Sequence, residues 1–288
     1  MTTPLHLEAP TTLEYFATLV AEDASLPVLE AAIAVAQDDF PRLDPQGVLG
    51  EIDALADRLC RRLAADAAPL QRLRQLNHYF FEELGFAGNV NDYYSAANSY
   101  LPEVLRTRRG IPITLSLLYI ELAAQAGLVA EGVSFPGHFL VKLRMARGDV
   151  IIDPFTGHSL SREQLDEQLT PYLRQRGLAG DDRAPLGLFL QAAPSREVIA
   201  RLLRNLKGIH RSAGDWRRLL AVQVRLVILL PRDGLERRDR GLALAELGQH
   251  QLAADDFVAY LEQSPHAEDA DHLRQRLARW RAGGRHLH

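Results

Sequence analysis

Two residues of this chain have the types and spacing to handle a proton together: His138 and Asp153. They belong to HFLVKLRM and VIIDPF, apolar runs joined by a turn at ARGD, so antiparallel pairing would bring the imidazole beside the carboxylate. A carboxylate that orients a histidine, and a histidine that takes a proton from a nucleophile at a helix start, make a catalytic triad. The helix dipole lowers the nucleophile's pKa. The helix is legible upstream, in PITLSLLYIELAAQAG, but its first residue is Pro112. Proline at N1 costs no hydrogen bond and offers no nucleophile.

Two hydroxyls follow within the first helical turns, Thr114 and Ser116. Each admits two readings, as a nucleophile activated by His138 or as a side chain bonded to preceding backbone. His138 and Asp153 likewise read either as a site or as a satisfied structural pair. Asp153 before Pro154 is also an ordinary strand-ending residue. His158, in FTGHSL, reads as an exposed loop histidine, and the lone Cys60, in LADRLCRRLA, as core packing in another helix. One cysteine cannot form an internal disulfide or a thiolate metal site. No HExxH, paired-cysteine or Asp-rich metal spacing and no phosphate-binding glycine loop occurs, so neither metal nor cofactor is expected.

The elements that must position these groups are mostly helical. Residues 11–84 repeat apolar positions at three- and four-residue spacing, broken by Pro27, Pro41 and Pro45, and the last of these helices ends at Gly85. Periodicity then fails through GFAGNVNDYYSAANSY, a polar loop whose Asn91, Tyr93, Tyr94 and Asn98 are candidate pocket residues. Asn98 or Ser99 is placed to cap a short helix, YLPEVLRTR. Arg108 and Arg109 precede the central helix, where they read as solvated surface charges or as a pair that binds an anion at the helix start, and Arg109 is a candidate pocket residue. Leu115, Leu118 and Leu122 form the helix's buried stripe and Gly127 ends it. Strands at AEGVSF, HFLVKLRM and VIIDPF complete an α+β core, followed by a helix in REQLDEQLTPYLRQRG and a polar loop around GDDRAP.

Beyond Pro194 the pattern changes and repeats. Gly214 and Gly248, Trp216 and His250, and Pro231 and Pro265 are each 34 residues apart, the period of the tetratricopeptide repeat. Gly241, Ala253 and Phe257 complete the second unit, residues 267–282 read as a capping helix, and the tail GGRHLH as frayed. The expected organisation is an N-terminal helical lobe at 1–84, an α+β core at 85–194 and helical repeats at 195–288.

The 288 residues carry 33 Lys+Arg against 37 Asp+Glu, but residues 201–288 alone hold 16 against 11. That excess, without interleaved aromatics or glycines, is a weak footprint for nucleic acid, which is not expected as a partner. The beginning of the chain lacks a basic stretch followed by an apolar one, and LVILLP is too short to span a bilayer, so neither a secretory signal nor a membrane partner is expected. With a single cysteine, the cytoplasm is the expected compartment.

The stretches NVNDYYSAANSYLPEVLRTRRGIPITLSLLYIELA, GVSFPGHFLVK and IIDPFTG, continued by NLKGIHRSAGDW and the 34-residue period, resemble the SirB-type bacterial family. In that family a transglutaminase-like domain, of the papain-like cysteine-protease superfold, precedes tetratricopeptide repeats. The resemblance implies an α+β fold with a small antiparallel sheet followed by an all-α region. It places His138 and Asp153 on the family's histidine and aspartate positions. Counting back from Gly127 puts Pro112 where catalytic members carry their cysteine. The resemblance implies a regulatory role at most; the missing nucleophile beside the retained His138 and Asp153, with repeats of a type used for peptide contacts, gives the expectation of a non-catalytic module that binds an unidentified protein or peptide through its pocket and repeats. The competing expectation is a hydrolase or acyl transferase without a cysteine, using Ser116 or Thr114 with His138 and Asp153.

Overall fold

The computed structural model describes residues 10–178 and 184–283. The start of the chain, most of the GDDRAP loop and all but the first residue of the GGRHLH tail lie outside the described residues. Packing divides the chain into two compact units, Ser25–Leu202 and the combination of Met1–Ala24 with Leu203–His288. The first helix, α1 (Thr12–Leu19), belongs to the second of these, with Thr11 and Glu14 forming a reciprocal cap at its start. This grouping differs from a continuous 1–84 lobe. The apolar face of α1 buries Phe16, whose ring lies beneath the Arg225 guanidinium, 5.3 Å from its centre.

The unit Ser25–Leu202 opens with helices α2 (Val28–Ala34), α3 (Pro45–Cys60) and α4 (Pro69–Asn77). Asp44 accepts from the Gln46 N–H at 3.1 Å and Pro45 takes the first helical position, so the proline that breaks one helix starts the next. α4 widens into a π turn over His78–Glu83 and stops before Gly85, at φ 71°. The turn delivers Phe80 and Phe81 to Tyr119, and Phe80 stacks on Phe86 at 4.5 Å.

Next come a two-residue strand β1 (Ala87–Gly88), a 3-10 turn at Ala96–Ser99 and α5 (Leu101–Thr107). β2 (Arg109–Gly110), parallel to β1, leads into α6 (Pro112–Gln125). Neither Asn98 nor Ser99 caps α5. Tyr100 precedes it without a side-chain cap bond, and Asn98 turns back into its own loop.

The main sheet is antiparallel in the order β3 (Ala130–Val133), β4 (Leu140–Met145), β5 (Gly148–Asp153), β6 (His158–Leu160). The fourth strand was not expected, because His158 and Ser159 are exposed and show no apolar alternation; backbone pairing of Asp153 with His158 and Ile151 with Leu160 creates it. His138 is not on a strand. Pro136 and Gly137, the latter at φ 74°, form a turn closed by the His138 N–H on Phe135 O at 3.0 Å, and β4 begins at Leu140.

Both faces of the sheet are covered, which is why Leu140, Val141, Lys142 and Leu143 are all buried. Val133, Leu140 and Ile151 pack on Leu165, Leu169 and Leu173 of α7 (Arg162–Gln175) and on Leu186 of α8 (Leu186–Phe189). Gly132, paired with Val141, faces the other way, where an added Cβ would meet the Phe139 ring at 2.8 Å and Ile120 of α6 at 3.6 Å. Lys142 brings its stem into the core and its ammonium to Leu190 O at 2.9 Å and Glu131 at 3.3 Å.

The division between the units falls inside α9 (Ser195–Ala213). In the second unit α9 is followed by α10 (Trp216–Leu229), α11 (Gly234–Glu246), α12 (His250–Gln263) and α13 (Ala270–Gly283). The 34-residue period is structural. Gly214 and Gly248 hold left-handed turns at φ 67° and 74°, and Trp216 and His250 each open the following helix. α11 and α12 approach closely at Gly241, where a Cβ would lie 2.6 Å from the Phe257 ring.

One period before Gly241 stands Lys207. Its ammonium enters a buried ion cluster, 2.5 Å from Glu236 and 2.7 Å from Asp239, which Arg204, Arg211 and Arg238 complete. Gly241→Ala should destabilise the protein by about 1–3 kcal/mol through overpacking. Gly50→Ala in α3, where an added methyl meets nothing within 4 Å, should stabilise it by about 0.5–1 kcal/mol. Chemical denaturation of both variants measures the contrast, and the same sign for both would contradict it.

Candidate functional site

The sheet brings His138 and Asp153 together. The turn before β4 and the end of β5 place His138 Nε2 2.8 Å from Asp153 Oδ1. The Asp153 side chain is 7% exposed and that of His138 25%, so the carboxylate is inside and the ring reaches solvent at one edge. Asp153 is fully occupied. Its Oδ1 also accepts the Phe155 N–H at 2.9 Å, and its Oδ2 accepts the Thr156 hydroxyl at 2.9 Å. Burial pushes this carboxyl up, but the His138 hydrogen bond and charge, then the Phe155 N–H and Thr156 hydroxyl, prevail and hold it below the usual carboxylate range. An ionised Asp153 accepts from Nε2–H, which makes Nδ1 the acceptor of a neutral ring.

The wall beside this pair is aromatic. Phe155 meets His138 edge-on at 6.3 Å and Tyr93 at 5.8 Å, and Tyr93 meets Tyr94 at 5.2 Å. Gly88 makes room for Phe155: a Cβ there would fall 2.4 Å from the ring. Phe155 O in turn accepts the Gly88 N–H at 2.9 Å, so β1 and the turn after β5 are locked by backbone and ring at one point. Tyr94 is 80% exposed and Tyr93 41%.

Arg201, from the first part of α9, supports the histidine's turn. Its Nη1 donates to Ser134 Oγ at 2.7 Å and its guanidinium lies over the Phe139 ring at 5.6 Å. Burial pushes its pKa down. Phe155, Thr156 and Arg201 were missed as site residues. Phe155 stands two residues from Asp153 and an Asx turn was foreseeable there. Arg201 carries no local signal because it follows the change of pattern at Pro194.

The other sequence candidates divide sharply. Asn98, buried, is a loop organiser: its Nδ2 donates to Asp92 O at 2.6 Å and Tyr93 O at 3.1 Å, and its Oδ1 accepts from Asn89. Asn91 is exposed. Arg109 Nη1 donates to Gly85 O at 2.6 Å and Arg108 O at 2.9 Å, so it straps two loops. Thr114 is buried, accepts the Ile111 N–H at 3.2 Å and donates to Asn98 O at 2.8 Å. The close approach of Gly110, whose Cβ would lie 2.8 Å from Thr114 Oγ1, belongs to the same corner.

Ser116 is fully buried, with no hydrogen-bond partner for its Oγ. Among the described residues no hydrogen bond joins Thr114 or Ser116 to His138. Cys60 Sγ donates to Gln125 O at 3.3 Å, at the far end of α6 from Pro112. At 1.5 Å per residue that is roughly 20 Å from the helix start. Nor do the described residues contain a cluster of three or more His, Cys, Asp or Glu side chains spaced to hold a metal ion.

The depressed Asp153 pKa gives a pH prediction with a definite sign. Its stabilising contribution is complete above the unfolded-state carboxylate pKa of about 3.9 and is lost as pH falls through the lower folded value. Asp153→Asn should therefore cost about 1–3 kcal/mol at neutral pH, and its deficit against wild type should narrow only below about pH 4. Paired urea titrations from pH 7 to pH 2.5 read this; a constant deficit would show that the carboxylate charge is immaterial.

Comparison with known proteins adds what geometry does not. Residues 46–204 match the family model described as the transglutaminase-like superfamily, and residues 206–278 match a tetratricopeptide repeat. A UPF0162 protein of Xylella fastidiosa (strain 9a5c) is 36% identical over 261 residues, covering 89% of this chain and 90% of the relative. A Pseudomonas aeruginosa UPF0162 protein is 30% identical over 250 residues, covering 87% and 89%. The UPF0162 protein YchA of Escherichia coli (strain K12) is 28% identical over 244 residues, covering 83% and 86%. No solved structure matches the chain. The two matched regions carry the expected α+β and all-α architecture, while the relatives bear the UPF0162 name and not the SirB label. With its transglutaminase-like region followed by tetratricopeptide repeats, and with a 36% identical relative matched over about nine-tenths of both chains, the chain belongs to the UPF0162 family of the transglutaminase-like superfamily.

Proposed function

We propose that this protein is a non-catalytic, regulatory binding module of the bacterial cytoplasm that engages a protein or peptide through the His138 pocket and through its repeats. The observation that carries this reading is the start of α6, where Pro112 occupies the first position and the nearest hydroxyl, Thr114, is spent on Asn98 O. Acyl transfer needs a nucleophile aligned on the histidine, and Cys60 touches the opposite end of the helix. What persists is a histidine with one nitrogen fixed by Asp153, beside Tyr93, Tyr94 and Phe155. Aromatic side chains with a polar handle contribute large contact area at low entropic cost. The repeats are the second support, since stacked helix pairs present extended surfaces to other chains. No helix among the described residues is long and apolar enough to cross a membrane.

A second reading, hydrolysis or acyl transfer through Ser116, rests on its buried and unpartnered Oγ. The two separate experimentally. Under the binding reading, wild-type protein shows no turnover of activated esters and no labelling at Ser116 by a fluorophosphonate. Affinity capture from native cytosol yields a partner whose complex protects residues 89–95 and 134–139 from amide exchange. His138→Ala with Tyr94→Ala should weaken that complex by about tenfold or more, in the range of interface hot spots. Ester turnover abolished by both Ser116→Ala and His138→Ala would establish the enzyme instead.

A further inference from the structure

A second constellation lies away from the His138 pair, between α3 and α5. Glu51, Ala54, Leu55 and Arg58 of α3 face Leu105 and Arg108 across a cavity of about 170 Å³. Arg108 is held there in an unusual way. It is the C-cap of α5 with φ 59° and ψ 21°, and among the described residues it is the sole non-glycine at positive φ. Left-handed backbone is disfavoured for an arginine, so the surroundings must hold this conformation. The guanidinium stacks on the Phe86 ring at 4.7 Å, and its Nη1 is buried without a hydrogen-bond partner.

A buried guanidinium nitrogen with nothing to donate to is the observation that calls for a ligand. The second cation sharpens it. Among the described residues Arg58, on the other wall, makes no ion pair or hydrogen bond through its side chain; its charge adds to burial in disfavouring that of Arg108, while Tyr79 and Glu51 act the other way. Glu51 is the acid nearby, two helical turns before Arg58 on α3, roughly 10 Å along the axis. No hydrogen bond or ion pair links it to either arginine. The cavity lining thus carries two guanidiniums against one carboxylate, that of Glu51, and keeps an excess of positive charge. Planar guanidinium forks match tetrahedral and trigonal oxyanions. The volume is below the 300–1,000 Å³ typical of drug-sized ligands, so it suits one group and not a whole cofactor.

We propose that Arg58 and Arg108 form a binding site for a single phosphate group, either free inorganic phosphate or a phosphate ester whose organic part stays outside the cavity. Arg108 supplies the inner donors from its stacked position on Phe86, and Arg58 closes the group from the α3 side. The apolar floor of Leu55 and Leu105 strengthens both contacts by excluding water.

The test is isothermal titration of the full chain with inorganic phosphate and with O-phosphoserine, each against sodium chloride at matched ionic strength. At least one phosphate should bind with a submillimolar Kd, and Arg58→Gln and Arg108→Gly should each weaken it by tenfold or more. Arg108→Gly removes the guanidinium while placing the residue best suited to φ 59°, so the fold is spared. Should that variant nevertheless unfold, Arg58→Gln, on an exposed helix face, decides alone. Tighter binding of inorganic phosphate identifies a free anion as ligand; tighter binding of O-phosphoserine identifies an ester. Heat no greater than that of chloride, or phosphate binding undiminished in the variants, overturns the proposal.

Discussion

A single buried carboxylate organises the candidate site. Asp153 closes β5, takes the His138 ring on one oxygen and sets the next turn by accepting the Phe155 N–H and the Thr156 hydroxyl. That turn aims Phe155 at Gly88, so the parallel pair β1 and β2, and with it the approach to α6, is registered against the main sheet through one ring. The same ring forms the wall behind His138. A carboxylate so placed is costly to desolvate unless each oxygen is satisfied. The geometry meets that condition with three donors, all within three residues of Asp153 except the histidine.

What the histidine can do follows from what surrounds it. In a working triad the carboxylate fixes the tautomer so that the other ring nitrogen meets a nucleophile. Here the first half of that arrangement exists, while the hydroxyl of Thr114 is used to tie the helix start to the loop at Asn98. A cap of this kind accepts the Ile111 N–H and donates its one proton to Asn98 O, and withdrawing it would leave buried backbone unpaired. The corner where chemistry would begin is thus built as structure. Pro112 and Thr114 rigidify it, and the exposed rings nearby are Tyr93 and Tyr94, linked to His138 through Phe155.

Much of this was legible in the chain because its signals are local. Pro112 at a helix start, Gly85 and Gly127 at helix ends, and the recurrence of Gly214 with Gly248 each depend on φ preferences or on a missing N–H, which a residue carries wherever it stands. The pairing of His138 with Asp153 was readable from strand alternation and a turn. The failures share the opposite property. Asn98 has the composition of a helix cap, yet two loop carbonyls and Asn89 claim its amide. Arg109 looks like a solvated cation and serves as a strap on Gly85. β6 exists because Gly157, at φ 78°, returns the chain alongside β5, with no apolar pattern in its three residues. α1 sides with α10 through Phe16, a partner more than 200 positions away.

The ion cluster of the repeats shows how far such context reaches. At the position equivalent to Gly241 in the preceding unit, a small residue would let two helices close; Lys207 stands there and its ammonium is satisfied by Glu236 and Asp239 of α11. Burial pushes Asp239 up, but Lys207, Arg238 and Arg211 prevail and hold it below the usual carboxylate range. Glycine and ring thus join α11 to α12 within one unit, whereas the paired charges join α9 to α11 of the next. Ion pairs buried to this degree contribute less to stability than their number implies, because desolvation offsets most of the attraction. They tie Arg204, Lys207 and Arg211 of α9 to Glu236 and Asp239 of α11. Left-handed glycines thus mark the 34-residue period at the α9–α10 and α11–α12 turns, and the ion pairs add a separate link from α9 to α11.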